Sequence, residues 1–181
     1  DAAGDRLMEP PPAGKSSELQ LALCRTKDRL IEQLHAQGGG RLYSRLPTAI
    51  ATQRSLSANA DFYLNGPGDL LEGGQPRHRA WNEALMKALG RLFVASLPRL
   101  QELAGDDTSW FYGLFPSAAR EADGSLGGPA MRVFDAEIER QISSLPVIRV
   151  VSGRWVTPSE ARVPDPSVAE AVGDQVENLT R

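Results

Sequence analysis

From Ala80 to Leu103 the residues Trp81, Leu85, Leu89, Leu92, Phe93, Ser96, Leu100 and Leu103 fall on one face of a 3.6-residue period, and Gly105 closes the pattern. A helix over 80–104 is predicted, its apolar stripe a core face rather than a ligand-binding one. Pro98 lies inside it and lacks a backbone donor, so a kink, or a break into two helices near Ser96, is expected. Trp81 begins the stripe and is expected to be a buried anchor between this helix and a strand pair preceding it.

That strand pair is read from Arg41 to Thr48 and from Ser55 to Leu64, two short stretches in which Tyr, Leu and Phe are separated by polar residues. Ser17 with Gln20 fits a capping box, and Leu19, Leu23, Leu30, Ile31 and Leu34 follow at helical spacing until Gly38-Gly39-Gly40, predicting a helix over 17–37. Residues 65–76 hold Asn65-Gly66-Pro67-Gly68-Asp69 and Gly73-Gly74-Gln75-Pro76, and should form a mobile surface loop. Trp110 to Pro116 packs four aromatics into a short stretch and reads as a buried turn. Met131, Phe134, Ile138, Ile142 and Leu145 give a second amphipathic helix, and Val147 to Val151 with Trp155-Val156 a hairpin turning at Ser152-Gly153. The expectation is an α+β fold, with a short strand pair and a further hairpin packed against long amphipathic helices. A flexible linker over 1–16 with its Pro10-Pro11-Pro12 run, one domain over 17–165 and an acidic tail over 166–181 complete the layout.

Of 181 residues 41% are hydrophobic and 24% charged, as in an ordinary globular domain. The net charge of −3 creates no field that favours nucleic acid or an anionic membrane. Seventeen of the 20 cations are Arg, which reflects a GC-rich coding sequence more than guanidinium chemistry. A single cysteine, Cys24, excludes an internal disulfide framework and fits an intracellular compartment, cytoplasmic or nuclear. No apolar run approaches the length of a membrane span, and a soluble chain is expected. The sequence begins at Asp1 without an initiator Met, so a fragment of a larger protein is expected.

Site chemistry is sparse. His35 and His78 are the only histidines, and neither has a second His or a Cys at ligand spacing, so no metal site is expected. Gly38 to Gly40 lack the Lys-Ser/Thr pair of a phosphate loop and read as a helix stop. No Gly-x-Ser-x-Gly elbow is present. Arg41, Arg45 and Arg54, with Arg77, Arg79, Lys87, Arg91 and Arg99, could contact phosphate only if they shared a face, and helical spacing scatters several of them around a solvated surface. No catalytic, cofactor or metal residue is assigned, and nucleic acid is not expected as a partner.

Three stretches in order resemble one family. Leu42-Tyr43-Ser44-Arg45-Leu46-Pro47-Thr48, Ala60-Asp61-Phe62-Tyr63-Leu64 and Trp81-Asn82-Glu83-Ala84-Leu85 are similar to the segment that follows the ATPase domain in NO VEIN and sacsin-like proteins. The similarity continues through Leu92-Phe93-Val94, Trp110 to Pro116 and Leu145-Pro146 to Ala161, covering roughly residues 40–165. The resemblance implies a middle segment beside a histidine-kinase-like ATP-binding domain, relaying its state. ATP and Mg belong to that upstream domain; its Asn-bearing helix, Asp-x-Gly-x-Gly-type turn and Gly-rich lid have no counterpart here, so no nucleotide contact is carried over. In the family the strand matched by Asp61 to Leu64 is commonly followed by a Ser-Arg-Glu-like turn. Here Gly68 takes the Arg position and Asp69 the acidic one. Arg45 or Arg54 could replace that cation only if the fold brings one to the nucleotide face.

The resulting expectation is a non-catalytic transducer segment whose partners are an upstream ATPase domain or protein clients, with no membrane partner. A stand-alone protein-interaction domain is the alternative. A small hydrolase using His78 would need an acid and a nucleophile converging on that residue.

Overall fold

The Leu19-Leu21-Leu23 alternation, with Glu18, Gln20 and Ala22 turned to solvent, is the period of a strand. In the computed structural model, which describes residues 16–23, 40–52, 54–64, 75–105, 108–115 and 128–162, this segment is strand β1 (Gln20–Leu23). The helix expected over 17–37 is therefore corrected over its first residues, and its remainder, 24–37, lies outside the described residues. Ser17 caps no helix; its Oγ accepts the Asp61 amide at 2.9 Å.

The expected strand over 41–48 is two strands, β2 (Arg41–Ser44) and β3 (Leu46–Ala51), folded back at Arg45, whose φ is 63°. The second expected strand shortens to β4 (Leu56–Asn59). The four form one sheet in the order β1-β4-β2-β3, with β2 parallel to β4 and the other pairs antiparallel. Pro47 is tolerated because β3 is an edge strand. On the same edge Thr48 Oγ1 accepts the Ile50 amide at 3.1 Å while donating to Leu42 O at 2.8 Å.

Between β3 and β4 the chain passes the start of β2 in only a few residues, and Thr52, Arg54 and Ser55 are buried there. The crossing is tight. The Gly40 amide donates to Arg54 O, the Thr52 amide to Gly40 O, and a Cβ on Gly40 would collide with the Leu56 carbonyl. Gly40 is thus a close-approach glycine at the mouth of β2.

Helix α1 (Pro76–Ala104) begins four residues earlier than its apolar pattern, with Pro at its first turn, where a missing N–H costs nothing. Its buried face is Asn82, Leu85, Met86, Leu89, Gly90, Phe93, Leu97, Leu100 and Ala104, one position round from the predicted stripe. Leu103 is consequently 41% exposed, and Trp81 is half-buried rather than fully buried. The expected break at Pro98 is absent. Buried Leu97 and Leu100 on either side hold the helix to the core, and Ser96 Oγ donates back to Leu92 O at 2.7 Å.

The aromatic segment forms a short helix α2 (Ser109–Tyr112) and a turn that buries Phe111, Leu114 and Phe115, while Tyr112 is 42% exposed, so the expected burial holds for part of it. Helix α3 (Gly128–Ile142) presents Met131, Phe134 and Ile138 to the core, as its pattern predicts. Phe93 meets Phe115 and Phe134 edge-on at 5.5 and 5.8 Å, and Phe111 meets Phe115 at 5.1 Å, so one aromatic cluster joins the three helices.

The chain divides into two compact units, residues 1–138 and 139–181. The second contains the predicted hairpin, β5 (Ile148–Arg149) against β6 (Trp155–Val156), with Gly153 at φ 81° in its turn. The architecture is α+β. Of the linker expected over 1–16 and the loop expected over 65–76, residues 1–15 and 65–74 lie outside the described residues, as does the tail over 166–181, and the loop ends earlier than expected because Pro76 already begins α1; no described helix is long and apolar enough to cross a membrane.

Candidate functional site

The polar groups of the first unit gather where its sheet meets its helices. Arg54, in the crossing between β3 and β4, reaches residue 135 of α3, 81 positions away, and its two terminal nitrogens each donate to one oxygen of Asp135 at 2.6 Å. Both side chains are buried, 3% and 8% exposed. The guanidinium carbon also lies 6.0 Å from the Phe134 ring centroid. Its Nε finds no acceptor among the described residues, so Asp135 alone answers the buried cation there.

Two further links lie beside it. Glu137, on the next part of α3 and 3% exposed in its side chain, accepts Arg91 Nε from α1 at 3.1 Å. The helices approach closely there, since a Cβ on Gly90 would stand 2.9 Å from Glu137 Cβ and 3.1 Å from Phe134 O. At the other end of α1, buried Asn82 imitates a neighbouring strand: its Oδ1 accepts the Tyr63 amide and its Nδ2 donates to Tyr63 O, both at 2.8 Å. Trp81 Nε1 donates to Asp61 O at 2.9 Å, so the expected anchor between helix and strands is made by a ring that is only half-buried.

The cations that sequence places in one basic stretch are dispersed. Arg54 is buried in its pair, Arg41 donates to Thr48 O at 2.8 Å, and Arg45 donates from Nε to Asp61 Oδ1 at 3.2 Å. On α1, Lys87 pairs with Glu83, Arg99 with Glu102 and Arg91 with Glu137. Each of these six side chains thus has a partner within the protein, while Arg77 and Arg79 at the start of α1 are exposed. His78 is stacked on Tyr63, ring centroids 4.0 Å apart and planes 17° from parallel, and its ring makes no hydrogen bond to a nucleophile or acid among the described residues. His35 and Gly68 fall outside them. No group of three or more His, Cys, Asp or Glu that could hold a metal occurs among the described residues.

Asp135 and Glu137 are the residues sequence reasoning missed. On α3 they flank the apolar positions Phe134 and Ile138, within the arc that a helix of this pattern buries, and that adjacency was the available signal. Chemically the arrangement links elements: a bidentate guanidinium–carboxylate pair fixes both distance and angle between the strand crossing and α3. Comparison with protein-family models, curated proteins and solved structures yields no match for the chain.

Proposed function

We propose that this chain is a non-catalytic transducer segment of an intracellular ATP-dependent chaperone-like protein of the NO VEIN and sacsin-like kind, working with an adjoining ATPase domain or with protein clients. The observation that supports this reading is the Arg54–Asp135 pair. A buried ion pair adds little net stability compared with apolar residues of like volume, but it holds one geometry, which suits a segment that relays displacement between a sheet and a helix. Since Arg54 is committed to Asp135, Arg45 is the candidate of the two that remains exposed for contact outside the segment.

The test has two arms. Calorimetric titration of the purified chain with Mg-ATP is expected to show no saturable binding, and a millimolar or tighter site would overturn the non-catalytic assignment. Fused to an intact ATPase domain of the family, the chain should alter that domain's turnover, and Arg54→Met with Asp135→Leu should remove the effect while the fold is kept. Turnover indifferent to the double replacement would overturn the role of the pair in coupling. An independent interaction domain is favoured by one other feature, the row of Gln20, Asn59, Tyr43 and Pro47 in register across the four strands, in which Gln20 and Pro47 are exposed.

A further inference from the structure

Thr157 is the only Ser or Thr of the chain that is followed by proline. It stands just after β6, in a turn that its own bonds close. The Glu160 and Ala161 amides donate to Thr157 O at 3.0 and 3.1 Å, and the Thr157 amide donates to Glu160 Oε2 at 2.9 Å. The Thr157 hydroxyl donates to the same carboxylate oxygen at 2.8 Å and lies 3.0 Å from Ser159 Oγ. Among the described residues, no hydrogen bond of 157–162 reaches another element.

The Thr-x-x-Glu spacing is that of a capping box, but the hydroxyl is not used as a cap. A capping threonine accepts the amide three residues on. Here that amide goes to the Thr157 carbonyl, and the hydroxyl meets an anion instead. The bonds from the Thr157 amide and hydroxyl, with Arg154 nearby, hold the Glu160 carboxyl below its ordinary pKa, so it is charged at neutral pH. A donated proton at Thr157 Oγ1 is therefore aimed at a fixed negative charge. Other hydroxyls are spent differently: Thr48, Thr52 and Ser55 are buried, while Ser44 and Ser96 donate to Phe62 O and Leu92 O. Thr157 is half-buried, and Pro158, Ser159 and Glu160 after it are exposed.

We propose that Thr157 is a phosphorylation site for a proline-directed protein kinase, and that the phosphate opens the turn over 157–161. A kinase groove takes its substrate extended, and a turn bonded only to itself can be straightened by local opening while the β5–β6 pairs stay closed. Pro158 has no N–H for the groove to satisfy at the position after the acceptor. In the transfer, Thr157 Oγ1 attacks the γ-phosphorus of Mg-ATP and an Oγ1–P bond forms. The bond from that phosphorus to the β–γ bridging oxygen breaks, ADP leaves with its electron pair, and the hydroxyl proton passes to the kinase's catalytic carboxylate. The product has no proton on Oγ1 to donate, and it sets a charge of about −1.5 to −2 beside Glu160. Attraction becomes repulsion. The Thr157 amide bond is lost with it, because amide and hydroxyl share Oε2, and Arg154 is drawn from the carboxylate to the phosphate. Attachment to an ATPase domain is required for neither step.

Incubating the purified full chain with Mg-ATP and a cyclin-dependent-type kinase, with mass-spectrometric mapping of the product, tests the site. One phosphoryl group is expected on Thr157; Thr157→Val should leave that peptide unmodified, and Pro158→Ala should slow the transfer about tenfold. Unchanged amide spectra for α1 and α3 verify that both variants keep the fold. In the phosphorylated chain, NMR titration should move the Glu160 midpoint from below 4.5 to 4.5 or above. No transfer to Thr157, or transfer to Pro158→Ala at the parent rate, would overturn the site. A Glu160 midpoint that stays below 4.5 after phosphorylation would overturn the opening of the turn.

Discussion

Gly90 stands at a close approach of α1 and α3, and the space for a side chain there is already occupied by Glu137 Cβ and the Phe134 carbonyl. Glycine in mid-helix ordinarily weakens a helix, so its presence answers the crossing and not the helix. Gly90→Val should destabilise the protein by about 1–3 kcal/mol through overpacking, read as a lower urea midpoint with unchanged m. An unchanged midpoint would mean the helices part there at no cost. Trp81 works differently. Because its ring is half-buried, its weight lies partly in the Nε1 bond to Asp61 O. Trp81→Phe keeps most of the apolar contact and should lose about 0.5–1.5 kcal/mol, the worth of one hydrogen bond, in the same measurement.

At the scale of elements, the Arg54–Asp135 pair makes a prediction of opposite signs. Removing either partner leaves a buried charge uncompensated, so Arg54→Met and Asp135→Leu should each cost about 3–5 kcal/mol, whereas both together should lie within about 1–2 kcal/mol of the parent or above it. Additive losses in the double-mutant cycle would show that the pair is not coupled. This pair was illegible in the sequence for a physical reason: its partners are 81 positions apart, and a lone Arg among other Arg residues reads as surface charge. The helices were legible because their faces extend over several turns, enough to fix a period. Strand β1 was not, since over Gln20–Leu23 the leucines at 19 and 23 fit either period and only Leu21 decides. In the second unit, the turn after β6 carries a pH prediction. Glu160 accepts the Thr157 amide at 2.9 Å and its hydroxyl at 2.8 Å, and these bonds, with Arg154 nearby, hold its pKa below the ordinary value. A depressed carboxyl pKa stabilises the folded turn above the ordinary value, and that contribution is lost as pH falls through the folded one. NMR titration should place the Glu160 midpoint below 4.5, and Thr157→Ala should raise it toward 4.5; a midpoint indifferent to Thr157 would contradict the capping geometry.

For the whole molecule, the division after Ile138 sets how stability is distributed. In the first unit the sheet crossing, α1 and α3 are joined by two ion pairs, a helix crossing and a shared aromatic cluster, so opening any one of them exposes buried charge or apolar surface belonging to the others. Their amides should exchange together, near the global unfolding free energy. In the second unit the hairpin has strands of two residues each, β5 and β6, too short to gather a ladder of their own. Its closing bonds, Val150 amide to Arg154 O and Gly153 amide to Val150 O at 2.9 Å each, lie in a turn exposed from Val151 to Arg154. They should exchange by local opening at a lower free energy. Asp135→Asn then separates the two regimes, because it weakens the Arg54 pair without touching the hairpin bonds. Amides of Leu89, Phe93 and Leu42 should lose protection by the full stability change, while those of Val150 and Gly153 keep their rates. Equal loss at both sets would show that the hairpin opens only with the first unit, and that the two units unfold as one.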